Sequence, residues 1–248
     1  MHELQVYDME NKPSYFLTLT YDDQKSVHSN NLHPDHLRNF WKILRKHGKH
    51  IRYFACGEYG DRNQRPHYHA IVFGLVLDDL QYHDHIRGNN IYTSETIQRY
   101  WVHGNVIIGN VTFESSAYVA RYITKKRLGK NTDRNYKEVD HKTGEIIDDR
   151  FPEFVRMSQG IGKKWLEKFS NDVYKSSIDG TVIIRGGTRV KVPRYYDDKM
   201  EKVNSILIQG IKERRKQFAA DKSESEASRK AREKEALVKE KLLKRSLT

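Results

Sequence analysis

Three kinds of residue in this chain stand at spacings that can do chemistry. Gly57 to Gly74 reads GEYGDRNQRPHYHAIVFG, and at its centre His67-Tyr68-His69 runs into the apolar stretch Ala70–Phe73. A short apolar run of this kind reads as a buried strand. Strand side chains alternate between faces, so His67 and His69 point the same way, as do Ile71 and Phe73. Two imidazoles on one face can share a metal ion, although the same pattern also arises from ordinary surface or core histidines. Ile51 to Glu58 reads as a second strand, and the polar turn Tyr59–Arg65 returns the chain into the histidine strand. Antiparallel pairing of the two brings Glu58 close to both imidazoles. Three protein ligands leave open positions for water or a substrate oxygen. The mixed nitrogen and oxygen set suits Mn²⁺ or Mg²⁺. Alternatively, Glu58 pairs with Arg62 or Arg65 at the turn. Farther on, Glu114–Lys126 has helical character, and Tyr118 and Tyr122 lie four residues apart on one helical face. Lys125 extends that face, while Val119 and Ile123 form an apolar seam. A tyrosine pair at this spacing is also what an amphipathic packing stripe provides.

The remaining elements must position these residues. Tyr15–Tyr21 alternates and is rich in aromatic and β-branched residues, which favours a strand with Leu17 and Leu19 on one face and Thr18 and Thr20 on the other. Residues 22–33 read as a polar loop. Pro34 opens a helix whose Leu37, Phe40, Trp41 and Leu44 form an apolar stripe, and Gly48 marks its end. Arg38, Lys42, Arg45, Lys46 and Lys49 make its other face basic and solvated. Asp78–His85 reads as a short helix. Ser94 caps another that runs to about Trp101, and Asn105–Val111 is a further sheet strand after the hairpin. A serine N-cap and the alanines that follow favour a helix over 114–126. Lys125–Arg134 is strongly basic, either holding phosphates or solvated, and 135–150 is an exposed turn region around Lys142-Thr143-Gly144. A helix begins at Lys163-Lys164-Trp165, after Gly160 and Gly162. Thr181–Val192 reads as a hairpin turning at Gly186-Gly187. Tyr195 and Tyr196 are adjacent and so do not share a face, which suits them to packing or surface contact. From Asp198 the chain is charge-rich and helical, with 221–248 the part least suited to packing.

Composition narrows the function. The chain has 248 residues, enough for one or two domains with a core. Lys and Arg number 45 against 33 Asp and Glu, a formal charge of +12, which suggests a polyanionic partner such as nucleic acid. Fifteen tyrosines add stacking surfaces. The single cysteine, Cys56, excludes an internal disulfide and a CxxC zinc site and fits a reducing cytoplasm. No apolar run approaches the ~18 residues of a membrane span, and MHELQVYDMENKP carries no signal-peptide pattern. There is no internal repeat. The absence of a G-x-x-x-x-G-K-[ST] loop argues against helicase activity.

A histidine–hydrophobe–histidine strand followed by tyrosines on a helix resembles the HUH endonucleases, which comprise rolling-circle replication initiators, relaxases and related transposases. Tyr68 stands where the family carries an aliphatic residue. More particularly, YFLTLTYDD (15–23), RYFACGEYGDRNQRPHYHAIVFG (52–74), SSAYVARYITKK (115–126), MSQGIG (157–162) and PRYYDDK (193–199) resemble the replication initiators of microviruses, the gokushovirus branch above all. The resemblance implies an α+β fold in which a central antiparallel sheet with flanking helices forms an RNA-recognition-like sandwich. The charged C-terminal extension adds helices to it. It implies a nicking domain over 1–130, a family-specific extension over 131–197 with a hairpin packed on the core, and a tail over 198–248. His67, His69 and Glu58 would bind the divalent ion; Tyr118 and Tyr122 would be nucleophiles, assisted by Lys125. Thr18, Thr20, Arg65, Arg121, Lys126 and Arg127 would contact DNA, with the Thr18–Thr20 strand supporting the DNA or the wall of the metal site. The implied activity is nicking and joining of single-stranded origin DNA in the host bacterial cytoplasm, alongside the host replication helicase and polymerase, with no membrane involved. Competing readings are a plasmid initiator, relaxase or transposase of the same chemistry, and a single-stranded DNA-binding protein that does not cut.

Overall fold

The computed structural model describes residues 1–24, 30–60, 63–86, 88–125, 136–139, 143–174, 181–183, 187, 189–221 and 225–242. The chain divides into two compact units, one covering Met1–Ile161 and the other beginning at Gly162.

The first unit is built on a sheet. Its elements in order are α1 (His2–Met9), β1 (Ser14–Tyr21), α2 (Pro34–Lys46), β2 (Arg52–Tyr59), β3 (Pro66–Phe73), β4 (Gln81–Ile86), β5 (Asn89–Thr93), α3 (Glu95–Tyr100), β6 (Gly104–Asn110), α4 (Phe113–Lys125), β7 (Lys137–Val139), β8 (Ile146–Asp149) and β9 (Phe154–Met157). Seven strands form one sheet in the order β4-β5-β6-β1-β3-β2-β9, with antiparallel neighbours throughout. This is the α+β architecture the sequence implies.

The sheet has two apolar faces. On one, Leu17, Leu19, Tyr68, Ala70 and Val72 pack with Leu37, Phe40, Trp41 and Leu44 of α2 and Ile97 of α3. The four α2 residues are each at most 1% exposed, and such burial contributes roughly 1.5–3 kcal/mol per side chain. Pro34 occupies the first turn of α2, and Gly48, at φ +74°, ends the segment with its N–H on the Arg45 carbonyl. On the opposite face Phe16, Cys56, Ile71 and Phe73 pack with Tyr7 of α1 and with Tyr118 and Val119 of α4. The candidate ligands Glu58, His67 and His69 share this second face with Tyr118. α1 was not legible in the polar N-terminal sequence; it is anchored by buried Glu3, whose Oε1 lies 2.6 Å from Arg52 Nε.

Three local expectations are corrected. Residues 78–85 do not form a helix: Gln81–Ile86 is the edge strand β4, paired with β5 across a turn at Gly88, where φ is +82°. Its side chains are exposed through His85, so no apolar stripe holds a helix against the core. Asp79, instead of opening a helix, caps α3 by accepting from Ser94 Oγ at 2.7 Å and the Thr96 N–H at 2.8 Å. Helix α4 is capped by Thr112 rather than by a serine. Thr112 and Ser115 form a reciprocal box, with the Ser115 N–H donating to Thr112 Oγ1 and the Thr112 N–H to Ser115 Oγ. Within 135–150, β7 and β8 pair as a small hairpin; Lys142 lies outside the described residues.

The second unit holds α5 (Lys163–Tyr174), β10 (Thr181–Ile183), β11 (Arg189–Lys191), α6 (Arg194–Glu201), α7 (Ser205–Asp221) and α8 (Glu226–Leu242). Leu166, Val173, Tyr174, Val192, Tyr196, Ile208 and Ile211 form its core. β10 and β11 make the expected hairpin; Gly186 lies outside the described residues. Tyr196 is buried in that core and Tyr195 packs against it. Residues 226–239 of α8 are exposed throughout. Among the described residues no helix is long and apolar enough to cross a membrane.

Candidate metal centre and tyrosine helix

Register places the candidate ligands together. On the α4 face, Thr20 of β1 lies opposite His67 of β3, which lies opposite Glu58 of β2. One pair of residues along, Thr18, His69 and Cys56 form the adjacent row. Directly opposed residues of an antiparallel pair share a face, so the sheet sets Glu58 and both imidazoles side by side without help from a loop. Their candidate ligand atoms all lie within 4.8 Å of one another, forming a group that could hold a metal ion.

The hydrogen bonds converge on one oxygen. Glu58 Oε1 accepts from His67 Nε2 at 2.9 Å and from the Tyr118 hydroxyl at 2.9 Å, and His69 Nε2 lies 3.1 Å away. His67 Nδ1 faces the Arg65 carbonyl at 3.0 Å. Both partners of His67 are acceptors, which favours the doubly protonated ring. His69 Nδ1 faces Thr18 Oγ1 at 3.0 Å, and a hydroxyl there can donate or accept. Phe16 stacks on the His69 ring at 5.3 Å, and Tyr118 meets it edge-on at 5.2 Å.

The electrostatics follow from these contacts. Burial would raise the Glu58 pKa, but hydrogen bonds from His67 and His69 overcome it and hold the carboxyl well below its usual range. Burial pulls His67 down, yet the Glu58 carboxylate, the Arg65 carbonyl and the charge of Glu153 reverse this and leave it above its ordinary value. Burial dominates at His69 and keeps it below.

The donor set fits a divalent cation. One carboxylate oxygen and two imidazole nitrogens converge, and the other nitrogen of each ring faces an oxygen that can fix its orientation. Glu58 does not pair with Arg65, which instead binds Asp23 at 2.7 Å and the Tyr21 carbonyl at 3.2 Å; Arg62 lies outside the described residues.

The other residues singled out in the sequence fall as follows. Thr18 is 7% exposed and supports His69, whereas Thr20 donates to the Asn105 carbonyl at 3.4 Å. Tyr122, Arg121 and Lys125 lie on the last turns of α4, with Tyr122 one turn beyond Tyr118; their side chains are outside the described part. Lys126 and Arg127 lie outside the described residues. Tyr68 points to the opposite face, where it is fully buried. Its hydroxyl meets Tyr21 Oη at 2.6 Å, donates to the His33 carbonyl and accepts the His33 N–H. Those partners allow a tyrosine in an otherwise apolar position. Burial and the Tyr21 contact work in opposite directions on this phenol, and burial wins, leaving its pKa pushed up to about 12. One polar residue near the site carries no local sequence signal: Glu153, immediately before β9, accepts the Tyr59 N–H at 3.2 Å.

Residues 14–127 match the family model for replication-associated proteins of the ORF2 type. Over that span, the chain is similar to this family of replication-associated proteins. The family region runs from β1 past the end of α4 and so contains Thr18, Glu58, His67, His69, Tyr118 and Tyr122. The chain is 38% identical over 223 residues to replication-associated protein ORF2 of Spiroplasma virus 4, covering 84% of this chain and 65% of that protein. It is 34% identical over 212 residues to replication-associated protein VP4 of Bdellovibrio phage phiMH2K, covering 81% and 61%. A third relative, replication-associated protein ORF4 of Chlamydia phage 1, is 29% identical over 202 residues, covering 76% and 46%. The chain thus spans less than two thirds of the length of each of these relatives. No solved structure matches it significantly.

Proposed function

We propose that this chain initiates phage DNA replication by nicking single-stranded origin DNA with a tyrosine, in the manner of HUH endonucleases. The observation that carries the reading is the position of the Tyr118 hydroxyl. It sits 2.9 Å from Glu58 Oε1, the same oxygen that both imidazoles address. A phenol hydroxyl and a set of groups that could hold a cation therefore meet at one point, an arrangement that a protein which only binds DNA does not need.

Glu58, His67 and His69 would hold the divalent ion, Mn²⁺ or Mg²⁺, which when bound would polarise a phosphate oxygen and offset the charge that builds during attack. The chain's own groups do the rest. Tyrosine, with a pKa of about 10, is a poor nucleophile at neutral pH, and the Glu58 carboxylate is placed to take a hydrogen bond from the Tyr118 hydroxyl. Attack forms the tyrosine–phosphorus bond and breaks the bond to the 3′ oxygen, which takes up a proton. The products are a 5′-phosphotyrosine link and a 3′-OH that can prime a host polymerase. Tyr122, one turn along α4, would serve the second step, cutting the regenerated origin while the first tyrosine holds the displaced strand. Lys125 would assist. Arg65, Arg121, Lys126 and Arg127 would hold DNA phosphates, and Thr20, on the same face as His67, would line the approach. The partners expected for this cycle are the host helicase and polymerase, in the host cytoplasm.

The experiment is cleavage of labelled single-stranded oligonucleotides by the wild type and by His67→Ala across a Mn²⁺ titration. Loss of metal-dependent cleavage in the variant is expected; retained cleavage at ordinary metal concentration would remove His67 from the ligand set.

A further inference from the structure

The edge strand β9 lies outside residues 14–127, and the residue before it, Glu153, meets β2 beside Glu58. β9 pairs with β2 through Cys56–Val155 and Gly57–Phe154. Continuing that register by one residue sets Glu153 across from Glu58, in the row that already holds Thr20 and His67. The next residue, Phe154, packs into the core on the α2 side of the sheet, and Glu153 is near enough for its charge to act on His67. Its place is fixed in two ways. The Phe154 ring is buried against Gly57 so closely that a methyl group there would meet it at 2.7 Å. Glu153 Oε1 also accepts the N–H of Tyr59, the residue after Glu58, at 3.2 Å.

Two carboxylates in neighbouring positions of one row repel each other when both are ionised. A divalent cation between imidazoles and carboxylates turns that repulsion into attraction, and hard cations favour charged oxygens. We propose that Glu153 is an outer carboxylate of the metal centre, one that strengthens divalent-cation binding through its charge while Glu58, His67 and His69 make the bonds. The inference rests on the proposed reading of those three residues as ligands.

The test separates charge from packing, and also separates this inference from the reading beneath it. Mn²⁺ affinity is measured on the full chain, from the electron paramagnetic resonance signal of the free ion, for wild type, Glu153→Gln, Glu153→Ala and His67→Ala. Glutamine keeps an oxygen for the Tyr59 N–H and loses the charge. Both Glu153 variants are expected to bind Mn²⁺ about tenfold more weakly, in the range typical of groups that support metal ligands, with Glu153→Gln melting as the wild type does in chelator. Wild-type affinity in Glu153→Gln would overturn the inference, and if Glu153→Ala alone were weakened, Glu153 would be only a cap on the strand end. Wild-type affinity in His67→Ala would overturn the ligand reading itself, whatever the Glu153 variants do.

Discussion

Replacing Thr18 by valine tests how the site holds His69. Valine keeps the β-branched shape that suits β1 and removes only the hydroxyl. That hydroxyl lies 3.0 Å from Nδ1 of an imidazole that is 3% exposed, with Nε2 turned to Glu58. When Nε2 donates to the carboxylate, Nδ1 must accept from Thr18. When Nε2 gives its lone pair to a cation, Nδ1 carries the proton and Thr18 must accept. A hydroxyl serves both tautomers; valine serves neither. Leaving a buried ring nitrogen without a partner costs about 1–3 kcal/mol. Losing the group that orients a ligand typically weakens metal binding about 10–100-fold, or about 1.4–2.8 kcal/mol. The first figure is a cost to the folded protein, and the second is the cost to binding of a ring no longer held in the orientation the cation needs. Calorimetric titration of Mn²⁺ into Thr18→Val should show that loss, and Thr18→Ser, which keeps the hydroxyl, should bind within a few-fold of wild type. If the valine variant binds as wild type does, or the serine variant is impaired equally, the hydroxyl is not what holds the ring.

Two further expectations follow from the same geometry. Metal affinity should fall as pH drops from about 8 to about 6. The raised His67 pKa means that a proton competes for its Nε2 from above the ordinary histidine value, whereas Glu58 stays ionised and His69 neutral through most of that window. A pH-independent Mn²⁺ affinity would contradict His67 as a ligand. Gly104→Ala should destabilise the first unit by at least about 2 kcal/mol in urea unfolding. Its methyl would press on the Thr20 carbonyl and sit 2.7 Å from the Asp22 nitrogen, and an unchanged midpoint would show that β1 and β6 can separate there freely.

The parts of the site that were legible in sequence are those set by short-range pattern. The alternation of His67 and His69 and the short turn behind Glu58 define one hairpin, so their meeting follows from strand geometry alone. For Tyr118 the packing reading holds and still leaves the hydroxyl a polar partner. The ring is buried among Phe16, Ile71 and Val119 while its hydroxyl reaches Glu58. What escaped sequence reasoning depends on distant pairing. Glu153 comes beside β2 only because β9 joins β2 at the sheet edge, and nothing around Phe151–Met157 announces that partner. β4 was misread because its exposed Tyr82, His83 and His85 carry neither strand alternation nor a helical stripe; the pairing with β5 decides it.

The central claim is that a tyrosine of α4 attacks DNA at the Glu58–His67–His69 centre. The direct measurement is incubation of the full chain with labelled single-stranded origin DNA and Mn²⁺, resolved on a denaturing gel, for wild type and for Tyr118→Phe with Tyr122→Phe. The account predicts a covalent protein–DNA band in the wild type and none in the double variant, with DNA binding retained by both. An undiminished band in the double variant would place the nucleophile elsewhere and contradict the account.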